Sequence, residues 1–347
     1  MQSFNSPSID FASWLQPVPA HAIFSDPGYF VWCGTMARDA GGLCHLYYSR
    51  WRLKEGFNAW VTHSEVAHAV ADQPLGPYRP IGVALPPRGP DFWDGHCTHN
   101  PTILQHQGRS YLYYMGNRGD RKKTDGLNWT HRNNQRIGVA VADSAAGPWT
   151  RFDQPLVDVT PGFHDSLVCN NPALLVRADG TIEMIYKAVA DNPPAPFGGP
   201  VVHVAATASF PMGPFKKHPQ PVFTHGTDLF PAEDPFIWRD SSGYWALVKD
   251  MQGKFTQAGR SIALMRSLDG YEWEPAANPL ALRPEFVRDD GGTQTLHALE
   301  RPQIWFDEGE PAVLFCAASI EPECKAPWTF NVAIPLRRPH AGKAIPA

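Results

Sequence analysis

Five times in this chain of 347 residues, two polar residues, a proline, one residue of any kind and an apolar run follow one another. The copies are Ser25-Asp26-Pro27, His99-Asn100-Pro101, Asn170-Asn171-Pro172, Glu233-Asp234-Pro235 and Glu300-Arg301-Pro302. Their prolines stand 74, 71, 63 and 67 residues apart, and self-similarity at a near-constant long period is the mark of a repeat architecture. One unit therefore repeats five times, and residues 1–347 read as a single domain.

Within each unit the apolar run is followed by a turn and a second run of strand length, such as 111–115, 182–186, 244–248 and 312–316, with 43–48 serving the first copy. Aromatic and β-branched residues bounded by Gly and Asp-Gly read as hairpins. A third element alternates small residues, as in 69–72, 140–143, 206–209 and 263–267, and closes on Gly-Pro-aromatic or Gly-Tyr, which turns the chain into an outer strand. With 29 Gly, 35 Pro and only 18% charged residues, many short strands suit this composition better than helices. The fold class is all-β, a five-bladed β-propeller, with inner-strand motifs at 25–36, 99–104, 170–175, 233–238 and 300–305. Residues 331–336 look like the third strand of the last blade, so an N-terminal segment is expected to complete it.

Net charge is −4 without a long basic run, which gives no footprint for nucleic acid. No apolar stretch approaches a membrane span, and the first residues lack the pattern of a secretory signal, so the expectation is no membrane partner and a cytoplasmic location. Cys33, Cys44, Cys97, Cys169, Cys316 and Cys324 contain no Cys-x-x-Cys pair and are expected to be reduced and buried. His96 and His99, three apart, do not make a structural zinc pair.

In a propeller the inner strands converge on one axis, so the polar pairs before each proline share a pocket. Several carboxylates, amides, a His and an Arg in one pocket suit a sugar, with Trp32, Trp51 and Trp93 available to stack on its C–H faces. Two carboxylates can divide the work of glycoside cleavage, one ionised and one protonated. Glu233, Asp234 and Glu300 are the acid candidates; Asp94 and Asp26 are the base candidates, and Asp165 is a further carboxylate. His99, Asn100, Asn171, His297 and Arg301 are expected to bind substrate, with the loops 118–136 and 190–200 at the rim.

These motifs resemble those of the five-bladed glycoside hydrolases, families 43 and 117 in particular. In family 43 an Asp-Pro at the first blade serves as base, an Asp-Pro at the third orients and tunes, and a Glu-Gly-Pro at the fourth serves as acid, which the resemblance carries to Asp26 as base and Glu233 as acid. The third-blade position here is Asn171-Pro172, so Asp165 or Asp234 would take the tuning role. Family 117 uses a His as acid, which His99, His164, His225 or His297 could supply. Pro27 lies 20 residues before Tyr47, against 12 between Pro101 and Tyr113, so residues 32–36 compete with the first motif for the inner strand. The resemblance implies an exo-acting, inverting hydrolase of an oligosaccharide or glycoside that requires no cofactor, with a Ca²⁺ or Mg²⁺ on the axis left open. The alternatives are a glycoside phosphorylase, using Arg301 and Arg50, and a carbohydrate-binding propeller. The oligomeric state is not legible.

Overall fold

The computed structural model describes residues 9–122, 124–322 and 329–338; Cys324 lies outside them. Five antiparallel four-stranded sheets follow one another. The first blade comprises Tyr29–Arg38, Cys44–Arg52, Glu65–Ala71 and Arg79–Leu85. The second comprises Cys97–His106, Arg109–Asn117, Arg136–Ala142 and Thr150–Arg151, and the third Val168–Val176, Ile182–Val189, Val201–Ala208 and Lys216–Val222. Ala232–Asp240, Gly243–Asp250, Ser261–Ser267 and Glu274–Leu282 make the fourth. The fifth takes Ala298–Asp307, Glu310–Ser319 and Thr329–Pro335 from the end of the described chain and its outer strand, Ile23–Phe24, from the beginning. Ile23 pairs with Val332 and Phe24 with Asn331, so the expected N-terminal closure is present. Among the described residues no helix is long and apolar enough to cross a membrane.

The inner strands of adjacent blades touch in turn, and the fifth touches the first, closing a circle. Each inner strand also breaks register near its start: between Trp32 and Thr35, His99 and Thr102, Asn170 and Ala173, Glu233 and Phe236, and Glu300 and Gln303, the fifth shifting again between Trp305 and Phe306. The residue that turns the bulge has φ of 53° at Cys33, 50° at Asn100, 51° at Asn171, 53° at Asp234 and 56° at Arg301. A β-bulge leaves one residue outside the ladder, and proline, which has no N–H to donate, fits the next position in four blades.

This corrects the first repeat. Its equivalent motif is Trp32-Cys33-Gly34, and Ser25-Asp26-Pro27 precedes the strand. Glycine replaces proline there for two reasons. The Gly34 N–H donates to Asn331 Oδ1 (3.2 Å), and a Cβ at Gly34 would stand 2.8 Å from Asn331 Nδ2. The seam between first and last blades thus uses the donor that proline lacks.

Apolar layers fill the spaces between blades. Tyr113, Met184, Tyr186 and Val204 are buried together between the second and third, and Leu46, Tyr48, Leu314, Phe315 and Val332 join the fifth to the first. Small residues on the third strands, such as Ala67, Ala69, Ala140 and Ala263, are fully buried and let neighbouring sheets approach. The five described cysteines are free and buried.

Candidate active site

At the start of the inner strands a cavity of about 220 Å³ opens on the axis. It is lined by Trp32, Trp51, Phe57 and Trp60 on one side and by Lys187, Glu233, Asp234, Glu300 and Arg301 on the other, with His99, Asn100 and Asn171 between. Each blade contributes through its bulge, because the positive φ turns the bulge residue inward while the pairing on both sides stays intact.

The five bulge residues form a hydrogen-bonded floor. Cys33 Sγ donates to Asn100 Oδ1 at 2.7 Å, Asn100 Nδ2 donates to Asn171 Oδ1, and Asn171 Nδ2 donates to Asp234 Oδ1 at 2.7 Å. Arg301 Nη1 reaches the same Asp234 oxygen at 3.4 Å. The amides hand their donors round the axis in one direction and fix the Asp234 carboxylate at the end of the chain.

Above this floor stand Glu233 and Glu300. One oxygen each of Glu233, Asp234 and Glu300 lies within 4.8 Å of the others. Lys187 Nζ donates to Glu233 at 2.7 Å, while Lys249 Nζ bridges Glu233 (3.2 Å) and Glu300. Burial pushes the Glu233 carboxyl up, but Lys187 and Lys249 outweigh it and hold the group far below the usual carboxylate range. Burial raises Glu300, and Glu233 and Asp234 add to that against the pull of Lys249. Burial and the Glu233 charge raise Asp234 against Arg301. Two neighbouring glutamates thus have opposite shifts.

His99 accepts or donates through Nδ1 to Ser64 Oγ at 2.7 Å and lies 5.1 Å from the Trp60 ring. Burial, Arg301 and Lys187 depress its pKa well below that of a free imidazole, so it is neutral in the pocket. The aromatic wall comes from the first blade: Trp51 and Phe57 pack at 5.5 Å and Trp32 and Phe57 at 5.7 Å. Phe57 and Trp60 belong to the insertion between the blade's second and third strands.

The expected site residues divide into two groups. Glu233, Asp234, Glu300, Trp32, Trp51, His99, Asn100, Asn171 and Arg301 meet in the pocket. Asp26, Asp94, Asp165, Trp93 and His297 are not among its lining residues. The three aspartates are repeat-equivalent braces. Each carboxylate accepts from the hydroxyl of a tyrosine on its blade's second strand: Asp26 from Tyr48 (2.7 Å), Asp94 from Tyr114 (2.8 Å) and Asp165 from Tyr186 (2.7 Å). Each also meets a cation, Arg50 for Asp26, Arg88 and Arg151 for Asp94, and Lys217 for Asp165. These contacts set Asp94 and Asp26, expected as bases, outside the lining of this pocket, and Arg50 is engaged by Asp26 and Glu65.

Trp93 stacks on Tyr114 at 5.6 Å, where a Cβ on Gly116 or Gly138 would collide with its ring; it is a wedge of the second blade. His297 is exposed. Of the other histidines, His164 contacts Pro219 O and His225 pairs with Asp228, both outside the pocket lining. The loops expected at the rim meet each other: Arg132 Nη1 donates to Phe197 O at 2.6 Å.

Lys187, Lys249, Phe57 and Trp60 escaped the sequence reading. The two lysines occupy equivalent positions, opposite Asn170 and Glu233 on the second strands of consecutive blades. A lysine directly after the second-strand run in two adjacent repeats, Lys187 after Tyr186 and Lys249 after Val248, was the available signal. The aromatic pair, in an insertion that no other blade repeats, had none.

Three convergent carboxylates can hold a divalent cation. Here Lys249 bridges two of them and Arg301 faces the third, whereas Ca²⁺ takes about six to eight oxygen ligands. The donor set suits ammonium and guanidinium groups, and a divalent ion does not fit it.

No protein-family model matches the chain, and no curated protein does. Solved structures do. A family 117 glycoside hydrolase from the marine bacterium Zobellia galactanivorans aligns over 92% of this chain and 89% of its own, with a TM-score of 0.61 at 20% identity. The fold is the one these enzymes share. A protein described as a glycoside hydrolase aligns over 96% of this chain and 94% of its own (TM-score 0.68, 18% identity). A thermostable family-43 glycoside hydrolase aligns over 96% and 99% (TM-score 0.63, 13% identity).

Proposed function

We propose that the axial pocket binds the terminal residue of an oligosaccharide or glycoside and hydrolyses its glycosidic bond, with Glu300 as acid and Glu233 as its ionised partner. The observation that carries this reading is the pair of neighbouring glutamates whose pKa values are driven apart inside one pocket, the arrangement that lets two carboxyl groups take different roles. The aromatic wall offers a face for the C–H side of a sugar ring. A closed floor and a volume of about 220 Å³, below the roughly 300–1,000 Å³ of pockets for drug-sized ligands, suit one sugar ring and hence exo action.

In the first step Glu233 attacks the anomeric carbon as the bond to the leaving oxygen breaks, and the Glu300 proton passes to that oxygen. Water then attacks the glycosyl ester, losing its proton to Glu300 and regenerating Glu233. Inverting pairs stand about 6.5–9.5 Å apart and retaining pairs about 5–5.5 Å. Oxygens within 4.8 Å therefore favour retention over the inversion that the family resemblance implies. The lysines that neutralise Glu233 favour one second reading, a propeller that binds sugar without cleaving it.

The test is hydrolysis of a panel of aryl glycosides, with the anomer of the first product followed by proton NMR. Glu233→Gln and Glu300→Gln should each lower kcat by at least about a hundredfold, with retention in the wild type. Turnover that survives both substitutions would refute the assignment, and sugar binding with no turnover in any form would favour the second reading.

A further inference from the structure

A second cavity, of about 300 Å³, adjoins the axial pocket. Phe57 lines both. The second cavity lies between residues 53–64 and 118–135, the connections from second to third strand in the first two blades. Phe57 and Asn58 line it from one connection, and Arg121, Lys122, Asp125 and Asn128 from the other. In an antiparallel blade that connection stands at the end where the inner strand begins, so both cavities lie at the same face of the propeller.

Buried side chains hold its walls. Asn117 Nδ2 donates to Val61 O at 2.9 Å, tying the first connection to the second blade. The Arg121 N–H donates to His131 Nε2 at 2.9 Å, and the same imidazole meets Asn117 Oδ1 through Nδ1 at 2.8 Å. Asn128 Nδ2 donates to Lys122 O at 2.9 Å and to Asp120 Oδ1 at 3.0 Å. Asn117, Asn128 and His131 are all buried. By contrast the side chains of Asn58, Arg121, Lys122 and Asp125 are exposed and make no hydrogen bond or ion pair among the described residues. A fixed main chain that presents uncommitted donors and acceptors beside an aromatic ring suits a hydroxyl-rich ligand, because little order is lost on binding.

The bulge ring closes the axial pocket below, so a glycan with its terminal residue on the axis must leave through the mouth. At the second and third blades the rim loops are joined, Arg132 Nη1 to Phe197 O at 2.6 Å and Asn133 Nδ2 to Pro196 O at 2.9 Å. Towards the first blade, one phenyl ring separates the axis from the second cavity. From this arrangement we infer that the cavity beyond Phe57 is a second subsite that takes the leaving-group sugar, and that the substrate is an oligosaccharide rather than a simple glycoside. The inference rests on the proposed glycosidase reading and names its substrate class.

For the sugar and anomer that the protein turns over best, kcat/KM is measured on the methyl glycoside and on the regioisomeric disaccharides with that sugar at the non-reducing end. At least one disaccharide should be preferred by about tenfold or more, the range of one or two hydrogen bonds, since binding energy from the remote part of a substrate is realised in the transition state. Asn58→Ala and Arg121→Ala should each cut the ratio of disaccharide to methyl glycoside by roughly three- to tenfold, and Arg121→Lys should keep part of it; the methyl glycoside controls for a misfolded loop. Disaccharides turned over no better than the methyl glycoside would overturn the inference while leaving the glycosidase reading intact. A preference that survives both substitutions would also overturn it, by placing the leaving sugar elsewhere. If nothing is turned over, calorimetry with glucose, galactose and xylose against their β-1,4-linked disaccharides decides the matter separately. Tighter binding of a disaccharide that Arg121→Ala weakens supports the subsite, and equal or absent binding sinks it.

Discussion

Replacing Asp94 by Asn separates a brace from a catalyst. The side chain is fully buried and collects three donors: Arg88 Nε at 2.7 Å, Tyr114 OH at 2.8 Å and Arg151 Nη1 at 3.2 Å. Breaking a buried ion pair by removing one partner costs about 3–5 kcal/mol. Asn keeps an acceptor for Tyr114, while Arg88 retains Phe152 O and Asp153, and Arg151 retains Pro86 O. The loss therefore falls at the lower end, about 3 kcal/mol. Unfolding entropy of about 2.1 cal/mol/K per residue over 347 residues converts that into a fall in Tm of about 4 °C. Differential scanning calorimetry measures the shift, and kcat on the best aryl glycoside, taken well below Tm, should stay within about twofold, as for any substitution that leaves the transition state untouched. An unchanged Tm with turnover lost would mean that Asp94 acts in the reaction and that the brace argument is wrong.

Buried imidazoles set the acid limit of stability. Burial lowers His68 and His131 to about 4 and His203 to about 3, so the unfolded chain binds protons first; stability present above about pH 6.5 drains away as pH falls through 4, by roughly 3 kcal/mol for His68. Urea titrations of wild type and His68→Gln across that range should converge at low pH, and parallel curves would count against it. Lys249→Met removes the cation that lowers both glutamates, so both limbs of the kcat/KM profile should move to higher pH by about one unit or more; a shift to lower pH is incompatible with the proposed roles. Trp60→Ala, which strips one ring from the wall, should raise KM about fivefold, near 1 kcal/mol, with kcat little changed, and a loss confined to kcat would show that the ring does not hold the sugar.

The repeat was legible because a propeller copies its backbone five times, and the prolines mark four of the five bulges. The first bulge was misread because Gly34 serves there: its N–H reaches across the seam to Asn331, a residue some three hundred positions away whose proximity no local pattern encodes. The convergence of Glu233, Asp234, Glu300, Asn100, Asn171 and Arg301 followed from the same periodicity. Asp94 and Asp165 misled for a physical reason: a carboxylate a few residues upstream of the axis motif looks the same in sequence whether it faces the cavity or a tyrosine hydroxyl. Only the fold, which brings the Tyr114 and Tyr186 hydroxyls to these carboxylates at 2.8 and 2.7 Å, distinguishes the two.

The bulge ring separates what the backbone needs from what the chemistry needs. All five positions adopt nearly the same left-handed φ, between 50° and 56°. Asn and Asp tolerate that region best, so three of the five sit comfortably, while Cys33 and Arg301 bear a strain of about 1–2 kcal/mol each. The backbone frame is common to all five positions, while the side chains on it differ and set the floor of the cavity. The axis works as a five-character address on an invariant frame, and a descendant of this chain could change its ligand by single substitutions at 33, 100, 171, 234 or 301. Aspartate–tyrosine braces outside the ring, Asp26–Tyr48, Asp94–Tyr114 and Asp165–Tyr186, tie the first three blades independently of which character is written.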